Sequence, residues 1–127
     1  MKIFLVIFLF IYSLFANELK WSHDLNSTLK SAKDNNKTIL MMFSAPWCPE
    51  CGYMKEVVFK KESVKEALSK FNLVEIDITK KESIPKGYKY LGVPTFFFLD
   101  ENGTILSQKD GGAREKEFIN MLQKVSK

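Results

Sequence analysis

Apolar and polar positions alternate in blocks along the chain, and each block predicts an element. The first block, Ile3 to Phe15, is apolar apart from Tyr12 and Ser13 and follows Lys2. It runs for about 13 residues, short of the ~20 that a bilayer span needs. Ala16, then polar Asn17 and Glu18, supplies a small residue at which a leader can be cut. Residues 1–16 are therefore expected to be a secretory signal peptide. Leu14 is bulky for a position so near the cut, which keeps an uncleaved membrane anchor as the alternative.

Between Trp21 and Lys37, the residues Leu25, Leu29 and Ala32 share one face at helical spacing, with Ser22 as the expected N-cap and Asn35-Asn36 as the stop. Thr38 to Ser44 is a continuous apolar run, as in a strand covered on both faces. Ala45-Pro46 breaks it, and Pro49 suits the first turn of a helix. Met54, Val57 and Val58 are that helix's expected buried side. Gly52 weakens it by about 1 kcal/mol relative to Ala and is expected to let it approach the sheet. After a bend at Lys60-Lys61, Glu62 to Phe71 repeats the helical pattern through Val64, Ala67, Leu68 and Phe71.

Asn72 to Thr79 alternates and reads as a strand, whereas Lys80 to Tyr90 is polar and reads as a loop or one helical turn. Thr95 to Asp100 holds Phe96-Phe97-Phe98-Leu99, a second buried strand. Glu101-Asn102-Gly103 then turns the chain into a return strand, Thr104 to Ser107. Gly111-Gly112 breaks the pattern, and Ala113 to Val125 closes it as a helix through Phe118, Ile119, Leu122 and Val125. Strands joined through helices pair in parallel, and a hairpin adds antiparallel pairing. The order predicts an α/β fold with a mixed central sheet of about four strands flanked by helices.

Composition narrows this picture. The length suits one domain, residues 17–127 once the leader is set aside. With 46% hydrophobic and 27% charged residues the chain can bury a core, which argues against disorder. The formal charge of +4 is interspersed, with no basic run beyond pairs such as Lys60-Lys61 and Lys80-Lys81. That is a solvated surface and not a nucleic-acid face, and a monomer is expected.

Cys48 and Cys51 are the only cysteines. Outside the cytosol thiols are normally oxidised, so an exported pair is either a staple or a working redox couple. A staple gains least when the loop it closes is short, and this loop is minimal. Redox exchange is the leading reading. Two thiolates could instead hold Cu(I). A closed zinc site wants four ligands, and His23 with the two cysteines supplies too few, so no metal or cofactor is expected. His23 itself reads as a surface residue of the first helix. The Phe96-Phe97-Phe98 cluster, with Met41, Met42 and Phe43, reads as sheet core.

The run Ser44-Ala45-Pro46-Trp47-Cys48-Pro49-Glu50-Cys51, followed later by Gly92-Val93-Pro94-Thr95-Phe96, resembles the thioredoxin superfamily. The resemblance covers residues 19–126, and Glu56 to Val64 looks most like the C-terminal domain of DsbD-type reductases. It implies a cis bond before Pro94, with Pro94 facing the cysteines. It also implies a nucleophilic Cys48, a resolving Cys51, and a substrate seat made by Trp47, Val93 and Pro94, with Gly111-Gly112 flattening the surface beside it. The function implied is a periplasmic protein-disulfide reductase supplied by a membrane-bound electron donor. An oxidase or isomerase and a thiol-independent binding module are the alternatives. One departure stands out. Thioredoxins usually carry a buried Asp where this chain has Met42, and Glu75 or Glu50 is the expected substitute.

Overall fold

In a computed structural model that describes residues 18–127, the elements are β1 (Trp21–Ser22), α1 (Leu25–Asn35), β2 (Ile39–Ser44), α2 (Pro49–Glu56), α3 (Glu62–Leu68), β3 (Asn72–Asp77), β4 (Thr95–Leu99), β5 (Ile105–Asp110) and α4 (Glu115–Val125). The expected leader lies outside the described residues. One sheet, ordered β1-β3-β2-β4-β5, organises the chain. The β1–β3 and β3–β2 pairs are parallel, and the β2–β4 and β4–β5 pairs are antiparallel.

β2 is central and buried throughout, as its unbroken apolar run predicts. Its alternate side chains enter two different cores. Ile39, Met41 and Phe43 meet Leu25 and Ala32 of α1. Leu40 and Met42 meet Met54 of α2, Val64 and Leu68 of α3, and Phe118 and Leu122 of α4. The second core is sealed by aromatic contacts, with Phe118 5.3 Å from Phe96 and 5.7 Å from Phe59 between ring centres.

The sheet has five strands, in keeping with the expectation of about four. The extra one is β1, two residues inside the stretch expected to be helical. Trp21 and Ser22 pair with Leu73 and Val74, and the Trp21 ring stacks on Phe59 at 5.2 Å. Helix α1 consequently starts later than expected, and its cap is Asp24, whose carboxylate accepts the Ser27 N–H at 3.1 Å. Ser22 instead bonds the backbone of Asp24. The stop at Asn36 is as expected, in a left-handed conformation with φ 57°.

Three further expectations shift. Met54 and Val58 are buried as expected but Val57 is exposed, because α2 ends at Glu56 and the 3₁₀ turn Val58–Lys60 redirects the chain so that Phe59 is buried as well. The return strand β5 runs on to Asp110. The polar Lys80–Tyr90 segment contains the single 3₁₀ turn Lys81–Ser83, yet it covers the α1 side of the sheet through Ile84, Tyr88 and Tyr90.

Gly52 does not bring α2 close to the sheet, since a Cβ there would meet nothing within 4 Å. The residue costs helix stability with no packing return. Gly52→Ala is expected to stabilise the oxidised protein by about 0.5–1 kcal/mol in urea unfolding. A loss of stability would show that the position has a tight neighbour after all.

Candidate active site

The site forms where β2 runs out into α2. Cys48 is the N-cap of α2, with extended backbone at φ −93° and ψ 107°, and Pro49 occupies the first turn, where no N–H is needed. Cys48 Sγ accepts the Cys51 N–H at 3.1 Å, one of the donors that a helix start leaves without an intrahelical partner. The two cysteines are joined as a disulfide, with Cα atoms 5.3 Å apart. Their exposure is unequal: Cys48 keeps 7% of its surface and Cys51 none. Trp47, just before them, is 67% exposed.

The Val93–Pro94 bond is cis. Antiparallel pairing of Phe43 with Thr95 sets Pro94 beside the end of β2, the end that leads into Cys48. The Pro94 carbonyl accepts the Gly111 N–H at 2.8 Å, which ties the start of β4 to the residues just after β5. Val93 is partly buried against both cores, one of which contains Cys48 and Cys51. Leu91, 95% exposed, stands three positions before Pro94 and was not singled out from the sequence.

Two carboxylates were open as substitutes for the missing acid, and they lie in different places. Glu50 turns outward. Its Oε1 accepts from Arg114 Nη1 at 2.7 Å, and the Arg114 guanidinium lies 4.1 Å from the centre of the Tyr53 ring. The bond to Glu50 holds the Arg114 pKa above its ordinary value. A Cβ on Gly112 would overlap Glu50 Oε1 and come within 2.8 Å of its Cγ. The gap left by Gly112 is therefore filled by Glu50, not offered as a flat face to a partner.

Glu75 turns the other way. It sits beside Met42 in the β2–β3 register and accepts from Ser44 Oγ at 3.0 Å, while Lys55 Nζ lies 2.9 Å from the same Oε2. Lys55 follows Cys51 by one helical turn. With Met42 fully buried, Ser44, Lys55 and Glu75 form the polar group on the sheet face beneath α2. His23 is exposed, with Nδ1 3.2 Å from the Glu75 carbonyl. Among the described residues no three His, Cys, Asp or Glu side chains gather as a metal site, and no helix is long and apolar enough to cross a membrane.

A mixed sheet carrying a dithiol at a helix start, with a cis proline at the adjoining strand, defines a thiol:disulfide oxidoreductase of the thioredoxin type. The chain belongs to the thioredoxin-like domain family, whose model matches residues 25–126. It is 33% identical to Thioredoxin-1 of Drosophila melanogaster over 105 residues, covering 83% of this chain and 92% of that protein. It is 32% identical to the thiol:disulfide interchange protein DsbD of Vibrio cholerae over 105 residues, covering 78% of this chain but only 18% of DsbD. Among solved structures, the oxidised C-terminal domain of Neisseria meningitidis DsbD superposes with a TM-score of 0.68 at 20% identity, covering 84% of this chain and 99% of that domain.

Proposed function

We propose that this chain is an exported reductase of protein disulfides, with Cys48 as the attacking thiol and Cys51 as the resolving one. The observation that carries the reading is the asymmetry at the start of α2. Cys48 is the more exposed cysteine and its Sγ already faces a backbone donor, whereas Cys51 is fully buried. A thiolate is the attacking species, and the helix start stabilises one. The Cys48 thiolate attacks a client disulfide, forms a mixed disulfide and releases one client thiolate. Cys51, as thiolate, attacks Cys48 Sγ and releases the second. Client and enzyme have then exchanged two electrons, and the enzyme is left with the Cys48–Cys51 bond.

Trp47 and Leu91 offer an apolar rim for the client. Val93 lies before the first ladder residue of β4, so its backbone can take an extended client segment as a short added strand against Pro94. Re-reduction falls to a membrane-bound dithiol donor, in keeping with the similarity to DsbD. The apolar leader supports action in the periplasm. The enzyme acts as a monomer on proteins, without nucleic acid or cofactor.

The direction of electron flow rests on how strongly the reduced form is stabilised. Family members span about −270 mV for reductants to about −120 mV for strong oxidants. Glu50, two positions from Cys48, opposes the thiolate and favours the reducing end. One observation favours the oxidase or isomerase reading. Arg114 neutralises that carboxylate, so the opposition is weaker than the sequence implies. Equilibration with glutathione is expected to give a potential nearer −270 mV than −120 mV, in the thioredoxin range. A value close to the strong oxidants would reverse the proposed direction.

A further inference from the structure

Arg114 lies far from the cysteines in sequence and is the N-cap residue of α4, where its side chain caps nothing. Its guanidinium is committed elsewhere, in two contacts that go with a third made by its partner carboxylate. It donates to Glu50 Oε1 at 2.7 Å. It lies against the Tyr53 ring at 4.1 Å. The carboxylate it holds fills the space over Gly112 that any larger residue would occupy. Exposed ion pairs usually contribute little because two long side chains must be held in one geometry. Here the Tyr53 face fixes one partner and the Gly112 gap fixes the other, so that ordering cost is already met.

We propose that Arg114 is a positioning residue for the dithiol: it pins the Glu50 carboxylate onto Gly112, cancels its charge, and thereby sets how readily Cys48 ionises. Glu50 stands between the two cysteines in sequence, so an unpaired carboxylate there would act directly against the thiolate.

Most other charges around the site have ion-pair partners of their own. On α2, Lys55 is paired with Glu75 at 2.9 Å and Glu56 with Lys60 at 3.0 Å. From the β5 and α4 side, Lys109 faces Glu117 at 3.5 Å, while Asp110 accepts only a neutral amide N–H from Gln108 at 3.1 Å and keeps its charge in every variant compared below. Among the described residues, Glu50–Arg114 is the one ion pair that joins the Cys48-to-Cys51 stretch to another part of the chain.

The test is the rate of iodoacetamide alkylation of the reduced protein across pH, in four forms: wild type, Arg114→Gln, Glu50→Gln and the double variant. Arg114→Gln is expected to move the Cys48 midpoint upward and to cut the alkylation rate well below that midpoint about threefold. Glu50→Gln is expected to move it little, because the charge it removes is already cancelled. In the Glu50→Gln background, Arg114→Gln should have little further effect, and Arg114→Lys alone should restore most of the wild-type profile. Equal shifts from Arg114→Gln in both backgrounds would mean a direct cation effect and overturn the proposal, as would no shift in either. Arg114 is mostly exposed, so thermal unfolding is expected to change little.

This experiment needs Cys48 to titrate but does not depend on the direction of electron flow. If alkylation persisted unchanged in Cys48→Ser, the assignment of the attacking thiol would fail instead, and the two failures are distinguishable.

Discussion

Cys48→Ser is expected to lower protein-disulfide reduction by about 10³-fold or more, because a serine hydroxyl is not ionised at neutral pH and cannot replace a thiolate nucleophile. Cys51→Ser should behave differently. Attack by Cys48 survives, but nothing remains to release the client, so a mixed disulfide accumulates. The contrast follows from the unequal exposure of the two cysteines, 7% against none. Turnover of a disulfide substrate checks the first variant, and mass spectrometry of the trapped adduct checks the second. If Cys48→Ser kept its turnover while Cys51→Ser lost it, the roles would be exchanged. If both kept it, activity would lie in the binding groove and not in the sulfurs. The adduct also identifies the client.

Phe118→Ala should be the most damaging single change to stability. Phe118 is fully buried, and its ring lies between those of Phe96 on β4 and Phe59 after α2. Truncation removes the apolar surface and leaves a cavity that rigid neighbours fill only in part. The expected cost is about 3–5 kcal/mol, a large share of the roughly 5–15 kcal/mol that holds a domain folded. Urea unfolding of the oxidised protein measures it. A loss below about 1 kcal/mol would mean that α4 repacks, and that the aromatic cluster does not anchor it. α4 begins just after Arg114, so the same variant should also loosen the hold on Glu50.

Much of the site was legible in the sequence because its signals are local. A lone pair of cysteines at one-turn spacing, a proline in the next position, and an apolar strand before them together specify a dithiol on a helix start. The placement of Pro94 was also legible, through the motif around it. Less visible was what the surrounding charges do. Glu50 read as a substitute for the missing buried acid, and nothing near it in the chain shows that Arg114 takes up its charge. The only hint was Gly112 standing two positions before Arg114, and a glycine gives no direction.

Hydrophobic periodicity by itself determined the strands β2, β3 and β4, the helices α2, α3 and α4, and the mixed pairing of the sheet, because burial on one or two faces writes a repeat into a run of several residues. Tertiary structure alone decided β1, the capping of α1 by Asp24, the covering role of Tyr88 and Tyr90, and the separate fates of Glu50 and Glu75. A strand of two residues is too short to carry a period, and it exists because β3 offers it a free edge. Likewise, a carboxylate takes its partner from whatever the fold brings alongside, and the attraction falls off with distance in space, not with separation along the chain.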